Sequence, residues 1–328
     1  MRVGTICYAT DQGLGILAKS FYDNGVVTDV LMLHHNSRPT HLEWYPGSKV
    51  ITSKDLNVAG FSQRIVEFLK NVDVMLFFET PFDWSLIPYC QKRNIKTVLM
   101  PMHECMPKTL PYEPDFFICP SALDFDAFPR NSVMLPVPVS EPWNLRMTAD
   151  VFVHNAGHLG LNGRNGTAEL LQAIPLVKSD DVKFIIRSQE PISWTIRDPR
   201  VEIRLGTVKK EDLYKRGDVF VFPEKFNGLS LPLQEATASG MAVMCLDRYP
   251  VNTWLHKDPL VPVKEYRKSR VSSRCLEFDE AVVDPAELAK NIDKWHGREI
   301  THLSLYGREW AERTSWKALK QKYLEALA

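Results

Sequence analysis

Short apolar runs and amphipathic stretches follow one another through the first part of the chain. The run Val3–Tyr8 predicts a strand, whereas Phe61–Asn71 has the spacing of a helix with one apolar face. Runs that are apolar on both faces belong in a parallel sheet covered by helices. The predicted strands are Arg2–Tyr8, Val26–His34, Val72–Phe78, Thr97–Met100 and Phe116–Cys119, with helices at Ile16–Tyr22 and Phe61–Asn71 and another that reaches Asn94.

This alternation stops at a proline-rich segment and then begins again. Pro136, Pro138 and Pro142 favour an extended linker at a domain boundary. We therefore predict an α/β fold with two doubly wound, Rossmann-like domains, 1–140 and 141–304. Ligands bind at the carboxyl ends of strands in such sheets, so two facing sheets would place a site in the cleft between them. The second set of predicted elements comprises strands Asp150–Asn155, Val182–Arg187, Val201–Leu205, Val219–Pro223 and Ala242–Leu246, and helices Thr167–Val177, Leu231–Ser239, Pro285–Trp295 and Ser304–Leu327.

The composition is that of a globular protein and says little about partners. The 328 residues suffice for two cores, and 40 basic residues balance 40 acidic ones, so net charge indicates neither nucleic acid nor a membrane. The 6 cysteines are far apart without a Cys-x-x-Cys pair, which indicates reduced thiols rather than a zinc site. The chain opens almost directly into a strand, and no apolar run approaches the roughly 20 residues of a membrane span. We expect a soluble, cytoplasmic protein.

The loop and helix after the strand Val219–Pro223 form the first candidate site. The amides of Gly228, Leu229 and Ser230, at the positive end of the helix dipole, are suited to an anion. Ser230 is predicted as the N-cap, and Glu235, about one turn inside, can reach the same place and accept hydrogen bonds from hydroxyls. A glutamate early in a helix is also favoured by the dipole without any ligand, so both interpretations stay open.

The same segment, Asn227-Gly-Leu-Ser-Leu-Pro-Leu-Gln-Glu235-Ala-Thr-Ala-Ser-Gly240, resembles the signature of family-4 retaining glycosyltransferases of the GT-B fold. In that family, one glutamate contacts the donor sugar and a second holds the nucleotide ribose. The resemblance implies that Glu235 keeps the ribose role. Asn227 stands in the place of the first glutamate, and its amide can both donate to and accept from sugar hydroxyls. This replacement leaves the identity of the donor sugar open.

A second segment supports the resemblance. In the family, an arginine and a lysine after the first strand of the C-terminal domain hold the donor diphosphate. Here His158 stands in the arginine's place and Arg164 in the lysine's, so cations could neutralise the leaving diphosphate without a metal. A solvated loop arginine is the alternative for Arg164. Arg187, which ends a predicted strand, completes the donor-binding set. Glycines that either admit a ligand or simply shape the loop are Gly157, Gly160, Gly163 and Gly166.

Candidates in the N-terminal half follow strand ends. Gly13 and Gly15 lie where the family keeps a glycine loop near the donor, although a plain strand-to-helix turn explains them equally well. His103 lies where many members place a histidine beside the donor sugar, with a structural loop histidine as the alternative. Glu79 and Asp83 are either acceptor contacts or surface carboxylates.

The resemblance implies a metal-independent hexosyltransferase that uses a UDP- or GDP-type nucleotide sugar as substrate and needs no cofactor. It implies His103, Asn227 and Glu235 as the catalytic set, and a C-terminal helix, 305–328, that packs back on the N-terminal domain. Retention follows from the family, and the absence of a recognisable carboxylate pair favours a front-face mechanism.

Two other functions stay open. A catalytically silent nucleotide- or glycan-binding relative is suggested by Asn227. A phage-type DNA glycosyltransferase is suggested by the basic segment 264–274, which could contact an anionic acceptor such as a glycan, a lipid head group or modified DNA. A solvated surface loop is the simpler interpretation of that segment.

Overall fold

The computed structural model describes residues 1–56, 60–158, 163–191, 197–209 and 212–328. The chain forms two compact units. The N-terminal unit comprises 1–137, 271–276 and 316–328, and the C-terminal unit comprises 138–270 and 277–315. Both the N-terminal and the C-terminal segment of the chain thus belong to the same unit.

The N-terminal unit is built on a parallel sheet, as expected for apolar strands that helices cover. Among the described residues this sheet has 7 strands in the order β3-β2-β1-β4-β5-β6-β7. Side chains such as Ile6, Leu31, Met75 and Leu99 pack under the helices in its core. The elements are β1 (Val3–Tyr8), α1 (Gly13–Asp23), β2 (Asp29–Leu33), β3 (Val50–Ile51), α2 (Gln63–Leu69), β4 (Val74–Glu79), α3 (Leu86–Gln91), β5 (Lys96–Pro101), β6 (Phe116–Cys119), α4 (Ala122–Ala127) and β7 (Ser132–Met134).

The C-terminal unit repeats this architecture. Its parallel sheet has 5 strands within the described ranges, in the order β10-β9-β8-β11-β12, and a separate antiparallel hairpin joins β13 to β14. The elements are β8 (Val151–Gly157), α5 (Thr167–Ala173), β9 (Lys183–Ser188), β10 (Val201–Leu205), β11 (Val219–Val221), α6 (Leu231–Ala238), β12 (Ala242–Met244), β13 (Glu265–Ser269), β14 (Phe278–Val282), α7 (Pro285–Trp295), α8 (Thr301–Thr314) and α9 (Trp316–Leu327).

Both sheets have the strand order of doubly wound folds, which reverses direction at one point. In the N-terminal unit the reversal lies between β1 and β4, and in the C-terminal unit between β8 and β11. Such folds bind ligands at the carboxyl ends of the two strands that flank the reversal. The loops that follow β8 and β11 are therefore where a ligand of the C-terminal unit is expected.

The last predicted helix, Ser304–Leu327, is two helices in the structure. Ser315 separates α8 from α9 because its backbone is extended, at φ −70° and ψ 160°. Its hydroxyl donates to the carbonyl of Glu312 at 3.1 Å, a local bond of the kind that competes with the helix. Only α9 belongs to the N-terminal unit, whereas α8 belongs to the C-terminal unit.

α9 is held in the N-terminal unit by aromatic contacts. The ring of Phe21 meets those of Trp316 and Tyr323 edge to face, with 4.9 Å between centroids in each pair. The Trp316 indole donates to Ser20 Oγ at 2.9 Å, and the Tyr323 hydroxyl donates to the Pro136 carbonyl at 2.9 Å. In the described part of the chain, no helix is both long and apolar enough to cross a bilayer.

Candidate functional site

Two loops of the C-terminal unit meet at the point where the strand order of its sheet reverses, between β8 and β11. The amide of Lys225, after β11, donates to the carbonyl of Arg164, after β8, at 2.7 Å. Gly166 permits this approach, because a Cβ atom on it would lie only 2.3 Å from the Pro223 carbonyl oxygen. Gly166 also has a φ of +69°, which favours glycine. Gly157 and Gly163 likewise have positive φ angles, whereas Gly160 lies outside the described residues.

A buried polar network holds the loop between β11 and α6. Glu224 and Arg248 form an ion pair at 2.6 Å, and their side chains are only 1% and 2% exposed. Ser230 Oγ also donates to Glu224 Oε2, at 2.5 Å. A buried charge is tolerated only when it is paired and hydrogen-bonded, and both charges here meet that condition.

Asn227 belongs to this network, which differs from its predicted role in contacting the donor sugar. Its Nδ2 donates to Glu224 Oε1 at 2.8 Å, and its Oδ1 accepts the Leu229 amide at 3.0 Å. The residue is only 6% exposed. Its amide therefore stabilises the loop, and Leu229, whose amide Asn227 takes, is not an anion donor in this conformation.

Ser230 was predicted as the N-cap of α6. It occupies that position, but its side chain does not cap the helix. Its backbone is left-handed, at φ 47° and ψ 50°, and its hydroxyl turns to Glu224 instead. Within the described chain, the amides of Gly228 and Ser230 donate to no other group. These two amides, at the positive end of α6, remain suited to an anion.

Glu235 lies on α6 and is partly exposed. The hydroxyl of the buried Tyr214 donates to Glu235 Oε2 at 2.8 Å. Burial, followed by the neighbouring Glu235 charge, raises the pKa of Tyr214 well above its ordinary value, so the phenol stays protonated and donates. The hydrogen bond orients the carboxylate of Glu235.

Arg187 supports the site from the strand end. It is 4% exposed, and its Nη1 donates to Asn155 Oδ1 at 3.2 Å and to the Leu213 carbonyl. Asn155 in turn hydrogen-bonds the Tyr214 side chain. Arg187 thus connects β8, β9 and the segment that carries Tyr214, rather than presenting an exposed guanidinium.

His158 and Arg164 are both partly exposed on the loop after β8. His158 Nδ1 lies 3.0 Å from Glu190 Oε1. A nearby cation that the sequence analysis did not select is Lys225, whose Nζ donates to Glu169 Oε1 at 3.1 Å. The structure therefore brings cationic side chains to the loop that also carries the two available amides.

Gly13, Gly15 and His103 lie in the N-terminal unit. A Cβ atom on Gly15 would lie 2.2 Å from the Thr10 carbonyl oxygen, so close packing of α1 on the preceding loop requires this glycine. Gly13 is exposed and has nothing within 4 Å of such an atom. His103 is buried, and its amide donates to Asp124 Oδ1 at 2.8 Å.

Three of the five cations of the basic segment 264–274 pair with acidic neighbours. The segment forms β13 and the turn towards β14, and three of its cations lie within salt-bridge distance of carboxylates on the same hairpin. The pairs are Arg267–Glu265, Lys268–Asp279 and Arg270–Glu277. The structure thus does not support the expectation that this segment is a strongly basic contact for an anionic acceptor.

Four residues of the site are not indicated by any pattern in the sequence: Tyr214, Glu224, Lys225 and Arg248. Glu224 and Lys225 lie in the candidate loop after the predicted strand Val219–Pro223, but a glutamate and a lysine in a loop are ordinarily solvated. Arg248 is 24 positions from Glu224 along the chain, and no local pattern relates them. In the described chain, no cluster of three or more His, Cys, Asp or Glu side chains could hold a metal ion.

Part of the C-terminal unit matches a known protein family. Residues 152–262 match the family model described as Glycosyl transferases group 1. No curated protein matches the chain. Among solved structures, HepE of Anabaena in complex with UDP and glucose aligns with a TM-score of 0.70 at 11% identity, covering 100% of this chain and 99% of that one.

Two further structures align over almost the whole chain. Sucrose-phosphate synthase of Thermosynechococcus elongatus has a TM-score of 0.66 at 15% identity, with 99% of this chain and 98% of that chain covered. The apo lipopolysaccharide outer core galactosyltransferase WaaB has a TM-score of 0.58 at 12% identity, with the same coverage. At these identities the likeness concerns the fold alone.

The two Rossmann-like units define a GT-B fold. The Glycosyl transferases group 1 model covers residues 152–262, which include every site residue of the C-terminal unit named above, and this match agrees with the resemblance seen in the sequence.

Proposed function

We propose that this glycosyltransferase moves a hexose from a nucleoside-diphosphate sugar to an acceptor hydroxyl, with retention of configuration and without a metal. The observation that carries the proposal is the arrangement of groups where the strand order of the C-terminal sheet reverses, after β8 and β11. Two available amides and cationic side chains lie on the two loops where a doubly wound sheet binds ligands. A glutamate oriented by Tyr214 lies on α6, directly after the second loop.

Each group of this site has a role in the proposal. Glu235 accepts hydrogen bonds from the ribose hydroxyls, because an oriented carboxylate is a strong acceptor. The amides of Gly228 and Ser230 receive the diphosphate, and Arg164 neutralises charge on it as the glycosidic bond breaks. HepE of Anabaena, which shares the fold, was solved in complex with UDP and glucose, and this supports a nucleotide sugar as the substrate class here.

Retention is proposed through a front-face mechanism. Neither oxygen of Glu224 is available as a nucleophile, because Asn227, Ser230 and Arg248 occupy them. The departing diphosphate would accept the proton of the acceptor hydroxyl on the face from which it leaves. The protein then supplies positioning and charge stabilisation, which are the usual sources of rate enhancement when no protein nucleophile takes part.

Nucleotide binding tests this proposal. Saturating UDP or GDP should raise the melting temperature of the wild-type protein, since a ligand at 100 times its Kd stabilises the folded state by about 2.7 kcal/mol. Glu235→Ala and Arg164→Ala should each abolish the shift. Glu309→Ala and Arg298→Ala, at exposed positions of the same unit, should preserve it. A wild-type protein that responds to neither nucleotide contradicts the proposal.

Donor hydrolysis separates an active enzyme from a silent binding relative. The replacement of the family's glutamate by Asn227 suggested the silent alternative, but Asn227 is engaged in the buried loop network. We expect slow hydrolysis of at least one nucleotide sugar in a panel incubated without acceptor. Binding without any hydrolysis would favour the silent relative. A DNA acceptor loses part of its support because three of the five cations of segment 264–274 pair with carboxylates.

A further inference from the structure

Arg248 makes an unusual number of contacts to one short loop. It follows β12, and its Nε donates to the Glu224 carbonyl at 2.7 Å and its Nη1 to the Asn227 carbonyl at 3.1 Å. Its Nη2 donates to Glu224 Oε2 at 2.6 Å and to Ser230 Oγ at 3.2 Å. The guanidinium therefore binds the loop at its beginning, middle and end.

The loop needs such support because its conformation is not one that its residues prefer. Ser230 is left-handed, at φ 47°, a region that glycine adopts freely and serine does not. Its hydroxyl is held by Glu224, which Arg248 holds in turn. In this conformation the amides of Gly228 and Ser230 have no acceptor among the described residues, so they are available to a ligand.

Stability of the fold alone is a poor explanation for a buried ion pair. Replacing such a pair with apolar residues is often neutral or stabilising, because removing two charges from water costs about as much as their attraction returns. What a planar guanidinium provides that an apolar side chain does not is fixed geometry, since its donors lie in a rigid fork. The feature fixed here is the path of the backbone between β11 and α6.

We propose that Arg248 is a positioning residue for the donor diphosphate. Through Glu224, Asn227 and Ser230 it sets the amides of the loop before the ligand arrives, so that binding does not have to order them. This inference rests on the proposed function, because it assigns to Arg248 the geometry of the anion site in that function. Preorganisation of this kind raises affinity by removing the entropic cost of ordering.

The test compares UDP and GDP with their monophosphates. In the proposal the loop amides contact the diphosphate, so an altered loop should weaken UDP or GDP binding much more than UMP or GMP binding. We would measure Kd by calorimetry for Arg248→Met, for Arg248→Lys and for the double variant Arg248→Met/Glu224→Gln, at a temperature at which circular dichroism shows each to be folded. Arg248→Met leaves the charge of Glu224 buried without a partner. Arg248→Lys keeps a cation there and the double variant removes the charge of Glu224, so neither variant has this defect.

We expect the Kd for the diphosphate to rise at least about 10-fold in all three variants, with a change of less than about 3-fold for the monophosphate. Arg200→Met is the matched control, because Arg200 also pairs with a carboxylate, Asp198, and donates to three carbonyls of the same unit, away from the loop. That control should lower the melting temperature and leave both Kd values unchanged.

Two results would overturn the inference. One is wild-type diphosphate affinity in the folded variants, and the other is an equal loss for monophosphate and diphosphate. If the wild-type protein itself binds none of these nucleotides, the proposed function fails and this inference fails with it. That outcome is distinct because it appears before any variant is made.

Discussion

At the scale of single residues, the hydroxyl of Tyr214 determines how the carboxylate of Glu235 is presented. The phenol is buried and donates at 2.8 Å to one carboxylate oxygen. Asn155 and Arg187 complete the chain of contacts behind it. An oriented carboxylate binds a pair of hydroxyls better than one that must first be ordered.

Tyr214→Phe should weaken nucleotide binding and lower stability without disrupting the core. Loss of one hydrogen bond to a charged group costs about 1.5–3 kcal/mol in the folded protein. We expect nucleotide affinity to fall by roughly 5-fold, about 1 kcal/mol, because Glu235 loses its orientation. Calorimetry with UDP or GDP and urea unfolding measure the two effects. Tyr266→Phe, at an exposed tyrosine of the same unit, is the control and should change neither; an unchanged Kd in Tyr214→Phe would contradict this role.

At the scale of elements, the contact between the loops after β8 and β11 depends on a glycine. Gly166 has a φ of +69°, and a Cβ atom there would lie 2.3 Å from the Pro223 carbonyl oxygen. Gly297 has a similar φ of +72° but has no atom within 4 Å of its Cβ position. A comparison of alanine substitutions at these two glycines therefore distinguishes the cost of backbone strain from the cost of disturbing the loop contact.

Gly166→Ala should destabilise the protein by about 2–4 kcal/mol, from backbone strain plus overpacking. Gly297→Ala should cost only about 1–2 kcal/mol, from the strain alone. Because Gly166→Ala also pushes the loop of Arg164 away from Lys225, we expect it to weaken nucleotide binding, whereas Gly297→Ala should not. Urea unfolding and calorimetry check both statements, and equal stability losses would show that the loop contact contributes nothing.

The elements also show which features can be predicted from sequence. The predicted bounds of β6, β10 and α7 are those of the structure, because local patterns determine strands and amphipathic helices. The loop with Gly228 and the helix with Glu235 could be recognised because their motif is contiguous in the sequence. The hairpin β13–β14, with mostly exposed residues in its first strand, lacks the alternating pattern of a half-buried strand. The Glu224–Arg248 pair could not be predicted, since charged residues are rarely buried and contacts distant in sequence leave no periodic signal.

At the scale of the whole molecule, a buried carboxyl group makes stability depend on pH. Burial raises the pKa of Asp124 to about 7 from an ordinary value of 3.8, with the nearby Glu104 charge acting in the same direction. The folded state therefore holds this proton more tightly than the unfolded chain does. The corresponding stability is fully present below about pH 4 and is lost as the pH rises towards 7.

Asp124→Asn should remove this dependence, because the amide stays neutral and its oxygen can still accept the His103 amide. The free energy of unfolding of the wild-type protein, relative to that of the variant, should fall by up to about 4 kcal/mol between pH 4 and pH 7. Urea unfolding at several pH values measures this difference. Asp126→Asn, at an exposed position of the same helix α4, should follow the wild-type curve. Parallel curves for wild type and Asp124→Asn would refute the prediction.

The assignment of α9 to the N-terminal unit has a consequence for the order in which the protein is made. A ribosome completes residues 138–315 before it reaches Trp316, and Val139 and Thr314 are already joined by a hydrogen bond of 3.1 Å within the C-terminal unit. That unit can close while the earlier one still lacks the helix that covers Phe21. The unit that is translated first can therefore be completed only after α9, the helix that is translated last, is available to cover Phe21.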